Sequence, residues 1–308
     1  MLMRPLTSIL AIGILACVPA DARNTSVERA TVPLIVEGSR PFVQVTFRKP
    51  DGGVRTARFL LDTGGGGFLI AEPLARELGL EWGKTEREEG REFALVTALP
   101  SAFIGDFPLA LNPQRTLVTI GQGNILPAAA PGQAEGTIPG HVLAQYHVVF
   151  DYPDATFTIA RPGVLMPTGA GLPMPVAKRS GFPRTEINVD GSTYGLLLDT
   201  GASFTMVSEV LLHAWGSQHP DWPRHAGAVG EAATLGGMTL ETMSVPGAQW
   251  GSHQLQEFGV VSQREGTFER YMSGMMAAPI VGSLAGNVLK HFRVELDYAN
   301  ERLYLTTR

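Results

Sequence analysis

Hydrophobic positions along the 308-residue chain fall in short runs rather than in long stretches of helical period. Gly and Pro, 36 and 22 in number, interrupt these runs at close intervals, which predicts many short strands joined by turns. Asp51-Gly52 and Asp190-Gly191 lie between alternating segments and read as hairpin turns. Two apolar runs stop on an acid: Phe59-Leu60-Leu61-Asp62 and Leu196-Leu197-Leu198-Asp199. An unbroken apolar run reads as a strand covered on both faces, so each carboxylate is carried into an apolar interior at a strand end. A second β-like run follows each (Phe68-Leu69-Ile70 and Thr205-Met206-Val207), and then a helix start at Glu72 or Glu209. The expected fold class is all-β with a few short helices.

These matched features form an internal repeat. Phe59 to Gly64 and Leu196 to Gly201 align without gaps at an offset of 137 (199 − 62). A second block, Gly136-Thr137-Ile138-Pro139-Gly140-His141-Val142-Leu143, matches Gly282-Ser283-Leu284-Ala285-Gly286-Asn287-Val288-Leu289 at an offset of 146 (282 − 136). Its register holds to Asp151-Tyr152 and Asp297-Tyr298. The larger second offset places a net insertion between the two blocks of the second half. Two copies are too few for a solenoid, which needs about three units to bury a continuous core. Duplication around a shared site accounts for them better. The reading is residues 23–163 as a first lobe, a Pro- and Gly-rich linker at 164–175, and 176–308 as a second lobe.

The chemistry follows from where the acids sit. A carboxylate in an apolar interior is costly unless it is hydrogen-bonded, paired or functional. Gly64 and Gly201, each two residues past an aspartate, permit a tight turn that brings amide donors to the carboxylate. Two such turns meeting at a pseudo-twofold axis would oppose Asp62 and Asp199, and like charges so close share one proton. One member then serves as base and the other as acid toward a water that attacks a carbonyl. Thr63 and Thr200 can hydrogen-bond across the axis and hold the aspartates in register.

The duplicated apolar-apolar-Asp-Thr-Gly motif, with the later glycine block and Asp-Tyr strand in each half, resembles the retropepsin-like and pepsin-like aspartic peptidases. It is most similar to bacterial exported members with two retropepsin-like lobes in one chain, and the likeness covers nearly all of the sequence after the N-terminal segment. The resemblance implies a bilobal acid-protease fold of two homologous β-barrel-like lobes, with a cleft between them and a hairpin flap over it. It implies an aspartic endopeptidase acting on peptides or proteins in extended conformation, without metal or organic cofactor. Asp62 and Asp199 take the catalytic positions, supported by Thr63, Gly64, Thr200 and Gly201. The contrasting expectation is a catalytically silent envelope protein that binds extended peptides in the same cleft. Gly65 and Ala202 occupy positions where pepsin-like enzymes usually carry a hydroxyl residue and retropepsin-like ones alanine. Neither side chain can donate to an ionised carboxylate, which predicts a less acidic working range than that of digestive enzymes. Flap candidates are roughly 90–104 and 229–240, and no tyrosine lies between Gly64 and Gly140 to match a pepsin-like flap tyrosine.

Composition narrows the partners. With 24 basic and 29 acidic side chains the formal charge is −5, and no basic block is present to grip a nucleic acid. A linker between lobes favours pairing within one chain, hence a monomer. Residues 1–22 read as a signal peptide, with Arg4, an apolar run from Leu6 to Val18 and the small-x-small site Ala20-Asp21-Ala22, which predicts a periplasmic or secreted protein. A rival reading takes Ile14-Leu15-Ala16-Cys17 as a loose lipobox that makes Cys17 a lipid anchor. No later run reaches the roughly 18 apolar residues of a membrane span. Cys17 is the sole cysteine, so no disulfide or Cys-based metal site is available. His213, His219 and His225 are evenly spaced, but steps of six share no helical face and Pro220 and Pro223 argue for a loop rather than a metal site. Asp151 and Asp297 read as turn residues. Met272, Met275 and Met276 read as core or loop filler, or as a cleft lining.

Overall fold

A computed structural model describes residues 27–88, 90–126, 132–226 and 241–307. The segment read as a signal peptide, with Cys17, and the second flap candidate lie outside the described residues. The architecture is mostly β, and the α-helices among the described residues are short, the longest being Glu209–Gln218. No helix among the described residues is long and apolar enough to cross a membrane.

Among the described residues the strands form three sheets, one in each half and one shared. In the first half, Val54–Asp62 runs antiparallel to Arg40–Arg48 and parallel to Gly136–Pro139, with Asp62 opposite Pro139. Phe68–Ala71 lies on the other side of Gly136–Pro139 and parallel to Thr116–Ile120. The second half repeats each relation. Ser192–Asp199 pairs antiparallel with Arg184–Val189 and parallel with Gly282–Ala285, with Asp199 opposite Ala285. Thr205–Ser208 lies between Gly282–Ala285 and the parallel strand Phe258–Gln263. The sequence repeat is therefore a repeat of pairing order and register.

Burial explains the unbroken apolar runs. On Arg40–Arg48, Val43, Val45 and Phe47 face the core while Gln44 and Arg48 face solvent, the alternation of a half-exposed strand. At the end of Val54–Asp62 both faces are covered: Phe59 and Leu61 join the main core, and Leu60 packs with Phe42, Ala71 and Ile125 on the opposite face. Leu196 and Leu198 likewise enter the main core, and Leu197 packs with Ala177, Phe182, Phe268 and Ile280. The first glycine of the second repeated block has a steric reason. A Cβ on Gly136 would lie 2.1 Å from the Phe59 ring, and one on Gly282 would lie 2.2 Å from the Met206 carbonyl oxygen.

The shared sheet has the order Arg29–Pro33, Thr156–Ala160, His147–Asp151, Arg293–Asp297, Arg302–Thr306, Leu172–Pro173. Its central pair, His147–Asp151 against Arg293–Asp297, brings together strands that follow the second block in each half. The Pro- and Gly-rich stretch read as a linker is not purely a connector, because Leu172–Pro173 pairs with Arg302 and Leu303 at the sheet edge. The hairpin turns stand at Asp190-Gly191, both at positive φ, and around Asp51-Gly52, where Asp51 accepts from the Gly53 amide at 2.8 Å. Asp151 and Asp297 are the last residues of their strands and hold the turns that follow, accepting from the Asp154 and Asn300 amides at 3.1 and 3.2 Å. The loop expectation is corrected at two of the three histidines: His213 lies within helix Glu209–Gln218, and His225 lies on strand Arg224–Ala226. Ser208 caps that helix by accepting from the Leu211 amide, and the helix ends ahead of Pro220.

Candidate active site

Strands Val54–Asp62 and Ser192–Asp199 deliver their terminal aspartates to one place between the halves. The threonines that follow are both fully buried and interlock. The Thr63 amide donates to Thr200 Oγ1 at 3.1 Å, and the Thr200 amide donates to Thr63 Oγ1 at 3.0 Å. Each hydroxyl in turn donates to a carbonyl of the opposite strand, Thr63 to Leu198 at 2.5 Å and Thr200 to Leu61 at 2.7 Å. Buried hydroxyls and amides are thus satisfied across the axis, so the two loops hold each other in a single register.

The glycines set the approach of the carboxyls. A Cβ on Gly201 would lie 2.3 Å from Asp62 Cγ, and one on Gly64 would lie 2.9 Å from Asp199 Cγ. Each glycine therefore leaves the space into which the opposite aspartate projects. Within each loop the amides turn toward the acid. Gly64 donates to Asp62 Oδ1 at 3.0 Å, while Gly201 and Ala202 donate to Asp199 Oδ1 at 3.0 and 3.2 Å. Gly65 has no room for a side chain, since its Cβ would stand 2.7 Å from Asp62 Oδ2. The run of four glycines after Thr63 is tied down through Gly65, whose amide donates to the Asp62 carbonyl and whose carbonyl accepts from the Gly140 amide.

Each aspartate is half-buried. Burial, and next the charge of Asp199, raise Asp62 from its ordinary 3.8 to about 7 against the pull of the Gly64 amide and the Arg40 charge. Burial raises Asp199 to about 6 against the Gly201 and Ala202 amides and Arg40. Desolvation therefore outweighs the amide donors at both acids. Arg40, at the start of strand Arg40–Arg48, favours the ionised form of both aspartates. Sequence patterning carries no signal for it, because its approach is made only by the fold. Tyr152 stands close enough for Asp199 to raise its hydroxyl pKa, secondary to its own burial.

The remaining candidates separate from this site. His213 pairs with Glu241 at 3.0 Å, and His219 stacks on Trp222 at 4.1 Å and lies 3.4 Å from Asp190, so the two serve different contacts. Segment 90–104 is not one hairpin. Arg91–Leu95 pairs with Glu86–Glu88, whereas Ala102–Ile104 pairs with strand Arg40–Arg48. Met275 and Met276 line a cavity together with Gly66, and Met272 and Met276 also pack on the Phe182–Leu197 cluster. No protein-family model and no curated protein matches the chain.

Proposed function

We propose that the chain is an aspartic-type endopeptidase of the bilobal retropepsin-like and pepsin-like kind, with Asp62 and Asp199 as its catalytic dyad. The observation that carries the reading is the reciprocal threonine lock, which fixes two half-buried acids from the two halves against each other's loops. Two raised carboxyls of this kind hold one proton between them near neutral pH. The ionised member takes a proton from water as the water oxygen bonds to the peptide carbonyl carbon, and the protonated member gives its proton to the carbonyl oxygen. The tetrahedral diol then collapses. One hydroxyl returns its proton to the dyad, the C–N bond breaks, and the amine leaves with a proton from the other acid. No covalent intermediate and no metal enters the scheme.

The pH dependence follows from the same pair. Activity requires one proton on the dyad, so the rate falls when both acids are protonated and again when both are ionised. Because both pKa values are raised, to about 6 and about 7, the kcat/KM profile is expected to peak between about pH 6 and 7, and a peak below about pH 3 would contradict the assignment. The test is cleavage of a mixed peptide library by the full chain, with Asp199→Asn as control. Wild type should cut, and the variant should lose at least about a thousandfold in kcat/KM while keeping its fold. Equal cleavage by the variant would remove the dyad. Tight binding of an uncut peptide by wild type, with no turnover at any pH, would favour the silent peptide-binding reading.

A further inference from the structure

Beside the dyad loop lies a half-open cavity of about 710 Å³. Its wall begins at Gly66, four residues past Asp62, and continues over Arg115, the hairpin 176–183 and the segment bearing Met275 and Met276. The hairpin closes through a bridge between Val176 and Pro183 and a hydrogen bond from the Ala177 amide to the Phe182 carbonyl at 3.1 Å. It is seated against the dyad loop. A Cβ on Gly181 would lie 2.6 Å from the carbonyl of Gly140, and the Gly140 amide donates to Gly65. An extended peptide advances about 3.3 Å per residue and turns alternate side chains to one wall, so a chain lying across the dyad would reach this cavity within about three residues.

The charged side chains of the wall share one sign: Arg115, Lys178 and Arg179. Among the described residues none of the three has a carboxylate partner, although the protein as a whole carries a formal charge of −5. Arg115 is held in place, its Nη2 donating to the Arg179 carbonyl at 3.1 Å across the two halves. Its field is felt nearby: burial first, and the Arg115 charge second, hold His141 down to about 4. Met275 and Met276 supply an adaptable apolar surface suited to a methylene stem. From this wall we propose that the cavity is a subsite for an acidic side chain of the bound peptide, so that the protein prefers substrates with Glu or Asp within about three residues of the bond cut. The proposal rests on the peptidase reading for its substrate, and on the cavity alone for its charge preference.

The test uses matched peptides that differ by Glu, Gln or Lys at one position at a time on either side of a cleavable bond. At low salt, one position should show Glu favoured over Gln by about tenfold in kcat/KM and Lys disfavoured, with the ratio shrinking as salt screens the exposed cations. The double variant Lys178→Glu, Arg179→Glu should invert the Glu/Gln order at that same position. Binding of the same peptides to Asp199→Asn, followed by fluorescence anisotropy, gives a readout free of turnover. Cleavage without a Glu preference at any position, or a preference unchanged in the double variant, overturns the subsite and leaves the peptidase. Failure of wild type to cut, with Glu peptides still bound about tenfold tighter than Gln peptides, overturns the peptidase and leaves the subsite. Neither cleavage nor selective binding overturns both.

Discussion

At the scale of single residues the site is a contest between desolvation and local donors. Amides from Gly64, Gly201 and Ala202 and the charge of Arg40 stabilise the ionised acids, yet burial wins at both Asp62 and Asp199. A carboxyl whose native pKa lies above its unfolded value supports folding fully below the unfolded value, and that support is lost as pH rises through the native one. For the dyad the window runs from about pH 4 to about pH 7. Asp199→Asn removes one of the two opposed charges. Denaturant unfolding should then show the variant more stable than wild type by on the order of 2 kcal/mol at pH 8, and level with it near pH 4. Thr200 has the opposite character. Thr200→Val withdraws an acceptor from the Thr63 amide and a donor from the Leu61 carbonyl, both deep in the structure. It should cost about 2–4 kcal/mol in urea unfolding, whereas Thr200→Ser should recover most of that loss.

At the scale of elements, the strand ends and the glycine blocks act together. Phe59-Leu60-Leu61 and Leu196-Leu197-Leu198 were legible in the sequence as strands covered on both faces, because no polar residue breaks the run that ends on each acid. The repeated block starting at Gly136 and Gly282 was legible as a repeat, but its cause lay in the fold. Each of these strands wedges between the acid-bearing strand and the next one, where a Cβ has no space. Gly282→Ala should therefore destabilise by about 1–3 kcal/mol, since the group it meets is backbone. Gly66→Ala, with nothing within 4 Å of the added carbon, should be nearly neutral, and thermal melts of the two variants side by side check the contrast. The cationic hairpin 176–183 was hidden. Its first residues sit at the edge of a Pro- and Gly-rich stretch that reads as a connector, and its partners Arg115 and Gly140 are distant in sequence.

At the scale of the whole molecule, the shared sheet joins the halves through a buried polar contact. His147 Nε2 lies 2.9 Å from Glu295 Oε1 across the central strand pair, with the two residues 1% and 2% exposed, and Arg293 also donates to Glu295. Neither residue was marked by the sequence, because the partners are 148 positions apart. Burial alone would raise Glu295 above 4.5, but the hydrogen bonds from His147 and Arg293 together with their charges outweigh it and leave the pKa lowered. A lowered carboxyl supports folding above its unfolded value, and that support is lost as pH falls through the native one. Glu295 thus weakens the fold on the acid side and the dyad weakens it toward neutrality, which places the stability maximum between them. Glu295→Ala should cost about 3–5 kcal/mol at pH 6, because it strips a partner from the buried His147, and Glu295→Gln should cost less. Equal stability of Glu295→Ala and wild type across pH would remove this contact from the account of how the halves are joined.

The most direct measurement of the central pair is carboxyl titration by NMR in protein carrying carbon-13 at the Asp side-chain carboxyls. In wild type, the Asp62 and Asp199 signals should titrate together and well above the ordinary 3.8, and the Asp62 step should move down in Asp199→Asn, because the opposed charge is the second cause of its elevation. Two independent titrations near 3.8, with Asp62 unmoved by the substitution, would contradict it.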